Sequence, residues 1–461
     1  MDMDRKRRRQ KIRLIVTEIL MVLAVIVTVG VLFAVVTGWR VNGDFSVEQY
    51  GQIDVRSYPT GASIVIDDEM QAFAFTNTSR MLTEGEHRIR LEREEFDTWE
   101  KTVKVIPGWA VRLRYPRLFR KERKSEEVRK LGNLDFVMVS PNRESILYSE
   151  GGSDVWRLMS IRGDEAKVKD IDLAKVSGSE VTDRYWSWSG EKILAKDKEG
   201  NWTVINLNQP KESVKLGKYA KVSFMNGSGS KVWALKDGAL YSIELGVGDG
   251  VRKVLEGVEN FVADENEIAY LAKDGEKRKV MLYHDGDGGG VELSKDLSAE
   301  AKVWLAASTY AGEKFVSIVV DDYLTIYRMN DYPTYNSDFE EAKIAVQKKL
   351  DFAPEAETEI SRSGEFYVYR NGEEVVVFDA ELAECSQYRY PSKKIIWLDD
   401  YMLADTSDGK VTVMDFDGTN VRTLVSENVA EFPAVVTANN KWLYYIVGGE
   451  KDFRLMREQV N

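Results

Sequence analysis

From about residue 131 onward the chain restates one unit at intervals of roughly 35–45 residues, and that period restricts the fold more than any other feature. Each unit opens with a polar turn and a short apolar strand: SPNRESILYS (140–149), SWSGEKILAK (187–196), NGSGSKVWAL (226–235), DENEIAYLA (264–272), RSGEFYVYR (362–370) and ANNKWLYYI (438–446). A second strand follows, as in VWRLMSI, WTVINL, ALYSIEL, VMLYHD, EVVVFDA and FRLMRE, and most units add a third, such as VKDIDLA or NVRTLVS. Four short strands per repeat with no intervening helix describe the blades of a β-propeller, in which each blade buries its faces against its neighbours. Eight units begin near Leu134, Asp183, Ala220, Glu259, Ala301, Glu357, Lys394 and Phe432. Units five and seven are irregular, so a seven-bladed ring is the alternative.

Two gaps in the repeat fit each other. The final unit has three strands, FPAVVTA, KWLYYIVGG and KDFRLMRE, and lacks an outer one. Upstream of the first unit, EEVRKLG (126–132) reads as an outer strand with no blade in front of it; it resembles NVRTL (420–424) after the hairpin turn of unit seven. Pairing the early strand with the final blade would close the ring and remove the exposed ladder that an open ring leaves.

The amino-terminal part obeys different rules. Leu14–Val36, LIVTEILMVLAVIVTVGVLFAVV, carries one charge, Glu18. As a helix it spans about 34 Å, enough for a hydrocarbon core of about 30 Å, and it is too long for the apolar region of a signal peptide. Residues 1–13 carry seven Lys/Arg against two Asp, so they hold +5 of a total of −12 and leave −17 on the remainder. Basic residues before the span orient the amino terminus to the cytoplasm and everything after it to the outside. The acidic remainder argues against nucleic acid as a partner.

Residues 51–115 alternate apolar and polar in short runs separated by Pro59-Thr60-Gly61, Asp67-Asp68, Glu84-Gly85 and Pro107-Gly108, the pattern of a small antiparallel sandwich. GQIDVRSYPTGASIVIDD…TEGEHRIRLEREEFDTWEKTVKVIPG resembles a PEGA domain, a small extracytoplasmic β-module of bacteria and archaea. Pro59, Gly61 and Ala62 match the motif that names the family, with Thr60 in place of its Glu. His87, Ile89, Leu91 and Phe96 match the second landmark. Asp67-Asp68 and Phe75-Thr76-Asn77 depart from the family's Asp-Gly turn and Thr-Pro pair. His87 has no chelating neighbour in sequence and reads as a structural residue. The repeats in turn resemble those of TolB-type propellers, most closely at Ser140-Pro141-Asn142 and Asp415-Phe416-Asp417-Gly418.

Signals for chemistry are sparse. The chain has one cysteine, Cys385, and two histidines, which exclude an internal disulfide, a thiolate zinc site and make a Cys–His couple an unfavoured reading. The G-x-S-x-G elbow of propeller-associated hydrolases is absent, and GSGSK (227–231) lacks phosphate-loop spacing. HDGDGGG (284–290) offers Asp285 and Asp287 as weak metal candidates, without the further acidic ligands of a calcium loop. NDYPTYNSDFEEAKIAV (330–346) is an oversized connection whose Tyr332, Tyr335 and Phe339 are candidates for partner binding. The basic run 117–130 reads as a solvated connector, with acidic polymers or lipid head groups as a rival ligand.

The reading is an all-β protein with these parts: basic cytoplasmic tail 1–13, transmembrane helix 14–37, linker 38–50, PEGA-like domain 51–116, basic linker 117–125 and propeller 126–461. Expected is a single-pass, non-enzymatic membrane protein that binds an envelope protein or glycan, with no cofactor and no catalytic or metal residues. The competing class is an extracytoplasmic hydrolase or lyase with carboxylates in the propeller channel.

Overall fold

The computed structural model describes residues 2–41, 43, 45–152, 155–163, 166–172, 180–225, 229–247, 250–294, 296–330, 343–354, 358–392, 395–426, 428–449 and 452–461. The chain divides into two units, residues 1–122 with 461, and residues 123–460.

The first unit opens with a 35-residue helix, Asp2–Val36, whose segment Arg13–Val36 is long and apolar enough to cross a membrane. Its threonines do not leave hydroxyls unpaired. Thr17, Thr28 and Thr37 each donate to the carbonyl four residues earlier, at 2.8 Å, as a medium without water requires. Two four-stranded sheets follow. In one, Glu69–Phe75, Ser63–Ile66, Gly85–Glu92 and Trp99–Val105 pair in that order; in the other, Val47–Val55 pairs with Trp39–Val41, Thr78–Thr83 and, in parallel, Ala110–Leu113. The alternating residues anticipated from period two form the core: Ile53, Val55, Ile64, Ile89, Leu91 and Trp99 are fully buried.

The loop around Pro59–Ala62 is fastened by Thr76. Its Oγ1 accepts from the amides of Gly61 (3.0 Å) and Ala62 (3.1 Å) and from Ser57 Oγ (2.7 Å). Asp67-Asp68 is a two-residue hairpin loop with both residues at positive φ, the geometry of a type I′ turn. His87 has both ring nitrogens engaged, Nδ1 with Asp67 Oδ2 at 2.7 Å and Nε2 with the Thr83 carbonyl at 2.9 Å.

The second unit is a ring of eight four-stranded sheets, which settles the blade number at eight and removes the seven-bladed alternative. Blade 1 comprises Leu134–Val139, Ser145–Glu150, Val155–Ser160 and Lys167–Asp172, called strands a to d. Strand a of blades 2 to 7 begins at Val181, Lys221, Val258, Val303, Glu359 and Ile395. Blade 8 takes strands a to c from Val435–Val436, Trp442–Val447 and Phe453–Gln459, and its strand d is Ser125–Leu131. The lone early strand therefore closes the ring. It pairs antiparallel with Phe453–Gln459, Leu131 opposite Phe453 and Ser125 opposite Glu458, with one irregularity at Leu455/Met456.

Packing confirms the closure independently of the ladder. Leu134, Ile146, Tyr148 and Met159 of blade 1 share one buried cluster with Leu131, Val435, Tyr444 and Leu455 of blade 8. Equivalent clusters join blades 1 and 2 around Trp156 and Ile193, and blades 3 and 4 around Trp233 and Phe261. Blades 5 and 6 meet around Phe315 and Phe378. Cys385 belongs to this last seam, and burial pushes its thiol up to about 11, so at neutral pH it is an inert thiol.

Candidate interaction surface

The polar beats seen in the sequence are the a–b turns, and four of them share one design. In Ser140-Pro141-Asn142-Arg143, Ser187-Trp188-Ser189-Gly190, Ser361-Arg362-Ser363-Gly364 and Thr437-Ala438-Asn439-Asn440, the first hydroxyl accepts from the amide five residues on. The distances are 2.9, 3.1, 3.1 and 3.1 Å. The same hydroxyl also bonds the side chain two residues on, at 2.6 to 3.1 Å. The fourth position has positive φ in every case, from +54° to +78°. That is why Gly or Asn stands there in three of the four blades. Arg143 is the departure, and its guanidinium donates to the Val436 carbonyl (3.2 Å) and Asn440 Oδ1 (3.1 Å) of blade 8.

These turns are sewn to one another. Asn142 Nδ2 donates to the Ser189 carbonyl (2.9 Å), Lys192 Nζ to the Gly229 carbonyl (3.0 Å) and Trp233 Nε1 to the Glu265 carbonyl (3.3 Å). Ser308 Oγ donates to the Gly364 carbonyl (2.7 Å), and Phe366 stacks on Phe416 and Trp397 of blade 7. Gly364 has no room for a side chain, since a Cβ there would lie 2.4 Å from the Thr309 carbonyl at φ +78°. Gly364→Ala is expected to cost about 2 kcal/mol in a urea melt. Gly190→Ala, which meets only the flexible Asn142 side chain, should cost about half that. Equal, negligible costs would show that the seam tolerates a shift.

On this scaffold blade 2 presents an indole. Trp188 occupies the second turn position, where blades 1, 6 and 8 carry Pro141, Arg362 and Ala438, and it is 51% exposed. Tyr185, three residues earlier on strand a, is 52% exposed and stacks on Trp202 at 6.0 Å. Neither was singled out from the sequence. The available signal was an apolar aromatic in a turn whose counterparts are small or polar.

Between blades 4 and 5 the seam is ionic. Glu267, 6% exposed, holds Lys314 Nζ at 2.8 Å and His284 Nδ1 at 3.5 Å. Thr309 Oγ1 donates to Asp264 at 2.5 Å, and burial pushes that carboxyl above the usual carboxylate range. Each of these groups is satisfied by a neighbour in the fold.

Asp285 is paired with Arg252 of the preceding blade's outer strand, and its amide donates to the Asn266 carbonyl. Asp287 forms a turn, its amide donating to the His284 carbonyl at 3.1 Å. Among the described residues no cluster of three His, Cys, Asp or Glu side chains is placed to hold a metal. Tyr332, Tyr335 and Phe339 lie outside the described residues. In the basic run, Arg117 and Arg120 lie over the rings of Tyr58 and Phe96. Arg123 bridges the Leu424 carbonyl (2.9 Å) and Glu458 (3.4 Å), so these cations brace structure.

Fold and surface together define a β-propeller joined in sequence to a small β-domain and an apolar helix. Residues 50–117 match the PEGA domain, in agreement with the motif residues of the first sheet pair. Among solved structures, the chain is similar to the C-terminal WD40 domain of Sif2, at 12% identity over 72% of this chain and 97% of that one, with a TM-score of 0.44. The β-propeller domain of Cps50 (Swd1) from Myceliophteria thermophila aligns at 8% identity over 65% and 99%, TM-score 0.40. A eukaryotic initiation factor aligns at 14% over 71% and 88%, TM-score 0.44. No curated protein matches the chain.

Proposed function

We propose that this protein is a membrane-anchored interaction scaffold of the cell envelope, with Arg13–Val36 as its single span, a cytoplasmic amino terminus, and the PEGA domain and propeller outside. The span's length and the basic residues before it support the orientation, and PEGA domains are extracytoplasmic modules. The partner, a protein or glycan, meets the a–b turn face at Trp188. The observation that carries this reading is the exposed indole on a turn whose backbone is fixed by Ser187 and by the Asn142 bond from the preceding blade. An aromatic held rigid before binding loses little entropy on contact, and such residues dominate recognition surfaces. Asp264 and Glu267, the carboxylates of the seam between blades 4 and 5, are engaged by Thr309 and Lys314.

Photocrosslinking tests it. A photoreactive aromatic at position 188 in the full chain should capture a discrete envelope component, and the same group at Tyr323, exposed on the b–c turn of blade 5, should not. Against the captured partner, Trp188→Ala should weaken binding about 30-fold, the equivalent of about 2 kcal/mol, with no change in melting. Equal capture at both positions ends the assignment to this face.

A further inference from the structure

The helix and the β-domain of the first unit are joined backbone to backbone. Two residues after the helix ends at Val36 stands Gly38 at φ +86°, whose carbonyl accepts from the Tyr50 amide at 2.8 Å. The Tyr50 carbonyl in turn accepts from the Gly108 amide at 3.0 Å. Neither glycine has space for a Cβ: one on Gly38 would lie 2.2 Å from the Tyr50 carbonyl oxygen, and one on Gly108 would lie 2.6 Å from that of Val36. The Pro107–Gly108 turn is thus seated against the last turn of the helix.

Around this joint the surface is apolar. Trp39, Val41, Phe45, Val47, Ile106 and Trp109 are all exposed, Phe45 by 87% and Trp109 by 72%. The two tryptophans flank the joint directly, Trp39 one residue after Gly38 and Trp109 one residue after Gly108. The Trp109 carbonyl holds the Gln52 amide at 2.9 Å, so its backbone belongs to the sheet. Among the described residues of this unit beyond the helix, the other exposed large apolar side chains are Met70 and Phe75, on a hairpin strand of the other sheet.

Length fixes what lies opposite this collar. Arg13–Val36 has 24 residues, about 36 Å of helix, so a span that fills a hydrocarbon core of about 30 Å ends close to Gly38. The collar then falls in the interfacial layer, where tryptophan is enriched because its ring body is apolar and its N–H is polar. We propose that Trp39, Phe45, Ile106 and Trp109 insert into the outer bilayer interface, so that the PEGA domain rests on the membrane at a fixed attitude. The occupant is lipid. This rests on the reading of Arg13–Val36 as a transmembrane span.

The test uses the full chain in nanodiscs of phosphatidylethanolamine and phosphatidylglycerol. Three single-cysteine variants, Ile106→Cys, Met70→Cys and Ala24→Cys, each combined with Cys385→Ser to remove the half-buried native thiol, are labelled with an environment-sensitive fluorophore. Nitroxide lipids labelled near the headgroup should quench the 106 label at least threefold more than the 70 label, and deep nitroxides should quench the 24 label. If the 24 label is quenched while the 106 and 70 labels respond alike, the span stands and the docking proposal falls. If the 106 label is shielded from iodide yet unaffected by nitroxide lipid, the collar is covered by protein and the proposal is wrong. If the 24 label is not quenched, the span itself fails, and the proposal with it.

Discussion

A cystine introduced at positions 130 and 454 is expected to stabilise the propeller by on the order of 4 kcal/mol, and reduction should abolish the gain. Lys130 and Arg454 face each other across the closing ladder, outside its irregularity at Leu455/Met456. Directly paired backbone positions in an antiparallel ladder lie within disulfide reach. Two like charges opposite one another weaken the pair, and the ion pair that Arg454 makes with Glu127 at 3.8 Å is partly exposed, so the substitutions remove little that helps. The bond would tie the ends of a segment of more than 300 residues, where the chain-entropy effect on the unfolded state is large. Cys385 competes little, because its half-buried thiol has a pKa pushed up to about 11. Thermal unfolding of the Lys130→Cys/Arg454→Cys protein, with and without reductant, is the measurement. Identical curves in the two conditions, with the bond verified by mass, would mean that opening of this seam does not limit unfolding.

Lys314→Met is expected to cost about 3 kcal/mol, because it leaves the Glu267 carboxylate buried beside an alkyl chain. The side chains are 14% and 6% exposed, so solvent cannot replace the lost cation, and His284 stands farther away at 3.5 Å. The double variant Lys314→Met/Glu267→Gln removes the charge together with its partner and should recover most of the loss. Denaturant midpoints of the two variants decide the matter. A double variant as unstable as the single one would show that Lys314 acts through packing of its aliphatic stem.

The ring was legible because its evidence is periodic. Strand-forming triplets recur after Ser140, Ser187, Ser361 and Thr437, and a missing outer strand at one end has its counterpart at 125–131. The site was far less legible, for a physical reason. The recognition proposed for Trp188 depends on solvent exposure, and an indole in a beat rich in tryptophan and tyrosine looks identical whether it faces a blade or water. Trp233 and Trp156, near equivalent beats, are buried. The fate of Asp285 is set by Arg252, a residue 33 positions earlier on another blade, which no local pattern contains. The joint at Gly38 and Gly108 is hidden in the same way, since two glycines 70 residues apart reveal close approach only once folded.

The closing ladder also imposes a timetable. Strand Ser125–Leu131 leaves the ribosome first and waits for Phe453–Gln459; at about 5–20 residues per second the intervening chain takes roughly 15–65 s to make. Throughout that interval strand Ser125–Leu131 of every nascent copy lacks its ladder partner and is open to pairing with neighbouring copies. Expression of this protein is therefore most exposed to misassembly during its own synthesis, and shortening that wait by circular permutation is the rational route to higher yield.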